Sequence, residues 1–265
     1  MHPCSATSSS SRQPSFAAGP GMSLLLMATL FLLCCGSPVA AANKEIDAAL
    51  LRGDHKTAIT LLSKHLEKSE LPATDRAVML GQRGIEYAYL SEFDLAMQDY
   101  EQAIALQPKM ALLYQMRGLT YEEMDQLELA IADFEMVIRL SPKRIMGYVA
   151  LAWIYAAGRD PAFVDGNKAL TYAEKAIAIK TNARTLNTLA VAQARNGQYQ
   201  KAVATQLSAI TMLRSAKKTI APEIIAENEE RLTIYQAGKP YTMPPLILPR
   251  AVYKKRVLDE LLHPE

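Results

Sequence analysis

Beyond position 42, the residue types able to bind a metal or move a proton are His55, His65 and His263, together with an acidic cluster at Glu122, Glu123, Asp125 and Glu128. A metal site needs ligands that converge, and His55 and His65 are ten residues apart on one candidate helix, which does not put them on one face. The three cysteines, Cys4, Cys34 and Cys35, all precede position 36. The acidic cluster falls in a turn region, where solvated carboxylates are the rule. No glycine loop that could cradle a phosphate, no nucleophile elbow and no dinucleotide fingerprint occurs. These residues support neither an enzyme, a bound metal nor a cofactor. The basic run Lys254, Lys255 and Arg256 would gain about 1 kcal/mol per charge at an anionic surface, and solubility is its simpler role.

The elements that must carry whatever the chain does are helical. Half of the 265 residues are hydrophobic and only 12 are glycine, which is too few turns for an all-β fold. Lys plus Arg is 29 against 27 Asp plus Glu, and the formal charge of +2 argues against nucleic acid as a partner.

Residues 1–42 read as a leader. A Ser-rich stretch containing Arg12 precedes an apolar run at residues 22–35, which is short of the about 20 residues that span a bilayer as a helix. Small residues then lead to Ala41 and Ala42, the expected cleavage region of an export signal, with Pro38 ending any helix before it. Cleavage there gives an exported chain, periplasmic or secreted, without any cysteine. Two alternatives stay open: an uncleaved anchor, and a lipoprotein acylated at Cys34 or Cys35, although Leu33 stands where a small residue is normally needed. Either would place the chain on a membrane. Met22 is a candidate start.

An internal repeat organises the next segment. Leu80, Gly84, Tyr87, Ala96, Tyr100, Ala103 and Pro108 return 34 residues later as Tyr114, Gly118, Tyr121, Ala130, Phe134, Val137 and Pro142. Gly84 and Gly118 lie mid-helix, where glycine costs up to about 1 kcal/mol, and close approach to Ala96 and Ala130 is the expected compensation. Tyr87 and Tyr121 are expected between paired helices, Tyr100 and Phe134 to reach the next unit, and Pro108 and Pro142 to stop the second helix.

In these positions the chain resembles the tetratricopeptide repeat family. The resemblance implies an all-α fold, a right-handed α-solenoid of antiparallel helix pairs. It divides the mature chain into a degenerate capping pair at 43–76, units at 77–110, 111–144, 145–182 and 183–216, a capping helix at 217–238, and a Pro-rich strap with a short helix at 239–265. The third unit has a connection five residues longer than the regular ones.

The resemblance also implies a concave face lined by first helices. Its positions here are Val78, Gly81, Ile85, Ala88 and Tyr89, then Leu112, Gln115, Leu119, Glu122 and Glu123, then Met146, Val149, Trp153 and Ala156, then Arg184, Asn187, Val191, Ala194 and Arg195. The early positions are apolar and the last unit is basic, and the Lys and Asn pattern that clamps a terminal carboxylate in some relatives is missing. The partner-binding groove is therefore expected at Val78, Ile85, Tyr89, Leu112, Gln115, Leu119, Met146, Trp153, Arg184, Asn187 and Arg195, with Trp153 as a central anchor. Three occupants fit: a protein or peptide partner, the chain's own tail at residues 240–249, and plain packing of neighbouring helices. The expected function is a non-catalytic interaction scaffold, with a membrane-anchored assembly or secretion factor as the alternative.

Overall fold

The computed structural model describes residues 44–68, 70–216 and 220–243. Expectations for the leader, His263, the basic run and the tail beyond Met243 lie outside these residues. Among the described residues there are eleven α-helices and no strand. They are α1 (Lys44–Arg52), α2 (His55–Leu66), α3 (Ala73–Tyr89), α4 (Phe93–Leu106), α5 (Ala111–Glu123), α6 (Leu127–Leu140), α7 (Ile145–Ala157), α8 (Gly166–Ile179), α9 (Ala183–Arg195), α10 (Tyr199–Arg214) and α11 (Pro222–Gln236). None of them is long and apolar enough to cross a membrane.

Local chemistry sets the ends of these helices. Asp54 caps α2 by accepting from the Thr57 N–H, Asp165 caps α8 through Asn167 and Lys168, and Asn182 forms a capping box with Thr185 on α9. Helices α4 and α6 stop just short of Pro108 and Pro142, whose carbonyls accept from the hydroxyls of Tyr114 and Tyr148 at 3.0 and 3.2 Å. Between paired helices the chain reverses through a left-handed residue at Gly53, Ser91, Asp125 and Gly197. The longer third connection contains the short 3-10 turn Pro161–Phe163 instead.

Each helix packs on its chain neighbours, and first helices also pack on each other, α3 on α5 and α7 on α9. Second helices make no comparably extensive contact with one another. The first helices therefore form the inner row of a curved α-solenoid and the second helices the outer row. Leu95 on α4 and Leu129 on α6 occupy equivalent places on the outer row and are exposed.

Two locks recur at the repeat spacing. Arg83 donates to both carboxylate oxygens of Asp99 at 2.8 and 2.7 Å, and Arg117 does so to Asp133 at 2.8 Å each. The hydrogen bond to Asp133 holds the Arg117 guanidinium above its ordinary pKa, while burial raises the Asp133 carboxyl despite the pair. Attraction and desolvation thus oppose each other, as in other buried ion pairs. Arg83 also donates to Ser63 Oγ at 3.0 Å, and Arg76 to the carbonyls of Leu66 and Lys68 at 2.8 and 2.7 Å, which fastens α2 to the first repeat.

The second lock corrects the expected role of Ala96 and Ala130. A methyl group on Gly84 would sit 2.6 Å from the Tyr100 ring, and one on Gly118 would sit 3.1 Å from the Phe134 ring. The close approach compensating for these glycines is thus to an aromatic ring, one position of the motif further along the second helix. Tyr100 also reaches the next unit, its hydroxyl accepting from Thr120 Oγ1 at 3.4 Å. Because Tyr100 is fully buried and cannot retreat, Gly84→Ala is expected to cost about 2 kcal/mol, whereas Gly118→Ala stays within about 1 kcal/mol. Urea unfolding of both variants measures the difference, and equal losses would refute the role of the ring.

Candidate protein-binding face

The inner row gathers the predicted groove residues, and most of them are buried. Val78, Ile85, Tyr89, Leu112, Gln115, Leu119, Trp153 and Asn187 are each less than a tenth exposed, while Met146, Arg184 and Arg195 retain partial exposure. The apolar members belong to the continuous hydrophobic core, because each first helix lies between its own second helix and the neighbouring units.

His55, at the start of α2, pairs through Nδ1 with Glu86 Oε2 at 2.5 Å and stacks on Tyr89 at 4.5 Å, joining the capping pair to α3. His65 is held below its ordinary pKa chiefly by burial. Among the described residues no group of three or more His, Cys, Asp or Glu side chains is arranged to hold a metal ion.

The acidic cluster sits where α5 ends. Asp125 adopts the left-handed conformation and pairs with Arg159 across 3.3 Å at the surface. Glu122 differs: burial first, and then the charge of Glu123, push its carboxyl from 4.5 up to about 7, against the pull of Arg159. Its place in the last turn of α5 adds the unfavourable end of the helix dipole.

The most developed polar chemistry lies at the inner face of the third and fourth units. Trp153 on α7 is 1% exposed, and its indole N–H donates to Thr188 Oγ1 on α9 at 3.1 Å. Arg231 on α11 is 3% exposed and donates through Nε to Asn187 on α9 at 3.1 Å. After Gly238, at φ +67°, the chain leaves α11 and returns across this face. Tyr241 then packs edge-on against Trp153, with ring centroids 6.2 Å apart at 84°, and the Arg231 guanidinium lies 5.6 Å from the Tyr241 ring and 5.9 Å from the Trp153 ring.

Main-chain bonds complete the contact. Arg195 Nε donates to the Ala156 carbonyl at the end of α7, and its Nη2 donates to the Tyr241 carbonyl at 2.9 Å and to Thr242 Oγ1 at 3.1 Å. The Met243 N–H donates to the Ala157 carbonyl at 2.9 Å. Burial lowers the Arg195 guanidinium and raises the Tyr241 hydroxyl. Sequence reasoning missed Arg231, which resembles an ordinary residue of an amphipathic capping helix. A cation on the buried side of that helix was the available signal.

The tetratricopeptide repeat pattern matches residues 77–110 and 111–144. No curated protein matches the chain. Among solved structures, MamA from Desulfovibrio magneticus RS-1 superimposes with a TM-score of 0.54 and 18% identity, covering 72% of this chain and 98% of that one. A thermophilic TPR protein from Thermus thermophilus, TTC0263, gives 0.53 and 15%, covering 73% and 96%. The C-terminal part of a TPR repeat-containing protein from Cytophaga hutchinsonii gives 0.53 and 18%, covering 82% and 78%. At such identities the likeness is one of fold.

The raised Glu122 carboxyl makes a signed prediction. Its protonated form is compatible with the fold, so the stability it allows is present below about pH 4.5 and is lost as pH rises towards about 7. Glu122→Gln is expected to raise stability by about 1 to 2 kcal/mol at pH 8, discounted for the partial exposure of the side chain, and to change little at pH 4.5. Thermal unfolding at the two pH values decides it, and an equal effect at both would exclude the titration.

Proposed function

We propose, from the premise of two tetratricopeptide repeats at residues 77–144 set in an all-helical solenoid, that this chain is a non-catalytic scaffold receiving an extended protein segment on its inner face. One observation carries this reading: an extended stretch of the chain itself, residues 241–243, is held on that face by main-chain hydrogen bonds and an aromatic contact. Groups that hold one extended backbone in this way suit another.

The proposal includes export, with cleavage after Ala41 or Ala42, because residues 22–42 have the composition of a signal segment. The membrane-anchored form requires retention of residues before Ala42, or acylation at Cys34 or Cys35.

Arginine at Leu119 or Trp153 would unfold the core and is uninformative, since both side chains are buried. A photo-crosslinking residue at Met146 on the inner row, with Leu129 on the outer row as its counterpart, leaves packing largely intact. Capture from the native compartment should give a discrete adduct at Met146 and none at Leu129. Adducts at Leu129 alone would move the binding surface to the outer row. Intact mass of the same sample reads the amino terminus: a start at Ala42 or Asn43 supports export with cleavage, while acyl mass or a longer chain supports anchoring.

A further inference from the structure

The contacts that hold residues 241–243 are few, and their chemistry is specific. Two of them read only backbone: the Arg195 guanidinium on the Tyr241 carbonyl, and the Ala157 carbonyl on the Met243 N–H. One accepts a small acceptor side chain, Thr242, which is itself exposed. The last is an aromatic socket made by Trp153 and Arg231, into which Tyr241 is withdrawn until only 4% of it stays exposed.

We propose that this seat is a recognition site for an extended protein segment of stated chemistry, and that residues 240–243 are its resident competitor. The partner presents an aromatic side chain, followed two residues later by a residue other than proline, whose N–H meets Ala157. Arg195 and Arg231 both face the seat, but the charges of Glu227 and Glu230 also act on Tyr241, so the selection is made by the ring and the backbone and not by charge. The resident residues Pro240, Tyr241, Thr242 and Met243 are uncharged.

Displacing the strap withdraws Tyr241 from the hydrophobic core and Met243 from its edge but breaks no helix, since the strap is joined to α11 through Gly238 and lies beyond the last capping helix. Tethering gives it an effective concentration on the order of millimolar, so a partner must either bind well or arrive with further contacts along the inner row. This inference rests on the scaffold reading and names the partner class for one end of its face.

The chain has a single tryptophan, Trp153, which makes occupancy of the seat directly visible. Full-length chain and its Tyr241→Ala variant are titrated with a synthetic peptide of residues 238–249, and with the same peptide carrying alanine for its tyrosine, while tryptophan emission is recorded. The variant should emit further to the red than the parent, and the peptide should restore the blue emission saturably. The parent should need at least tenfold more peptide, and the alanine peptide should be inactive on both. Tyr241→Phe keeps the ring and should behave as the parent, and far-ultraviolet circular dichroism should show unchanged helicity in both variants.

Equal binding to parent and variant, or no spectral change on substitution or titration, would overturn the proposal. A variant that loses helicity would overturn it too, by making the strap indispensable to the helical fold. A concentration-dependent dimer of the parent would assign the seat to a second copy's strap and likewise overturn it. Crosslinks at Met146 that persist while the peptide fails would sink the seat alone. A binding peptide without any such crosslink would leave the seat standing and remove the broader inner-face scaffold.

Discussion

The distance between the helices of a unit is set by a close contact between a helix backbone bare of any side chain and a buried ring, tightest where Gly84 meets Tyr100 and looser where Gly118 meets Phe134. Larger residues at the glycine positions would push the second helix outward. That would in turn open the neighbouring Arg83–Asp99 and Arg117–Asp133 pairs, whose bidentate geometry tolerates little displacement. It would also carry the first helices apart, and with them the inner face. The propensity lost by placing glycine inside a helix is thus recovered as dense packing between helices and as a fixed curvature.

From that spacing the rest of the solenoid is assembled by neighbours alone. Each unit meets the next through its first helix, with Tyr100 reaching Thr120 and Arg83 reaching back to Ser63. The ends are finished in different ways. At one end Arg76 satisfies the last carbonyl of α2, at Leu66, and that of Lys68 just beyond it, and His55 pairs with Glu86. At the other, Gln206 and Asn228 form a buried hydrogen bond at 2.8 Å between α10 and α11, a polar seam suited to a helix that closes a stack.

The repeated part of this architecture was legible in the sequence because side chains of one type recur at one spacing. Gly84 and Gly118, Tyr87 and Tyr121, and Pro108 and Pro142 announced the helix pairs and their ends. The Arg–Asp locks were equally visible, since Asp99 and Asp133 are themselves 34 residues apart, but a pairing between two periodic columns has to be tested against geometry. The site was less legible. Positions chosen as a groove, such as Ile85 and Leu119, are buried in the continuous core, because a period marks a helix face without saying what covers it. The contacts that single out the third and fourth units come from Arg231 and Tyr241, which belong to no repeat and meet Trp153 only through the return of the chain after Gly238.

That return has a mechanical meaning. A stack held by nearest neighbours behaves as a spring in series, each coil yielding in proportion to the load it carries. The bridge from residues 241–243 to α7 and α9 places a clip in parallel with the coils from α7 to α11, because it joins points far apart along the chain. The clip adds stiffness to those coils beyond what neighbour packing gives them, and its release would return them to the compliance of a stack held by neighbours alone.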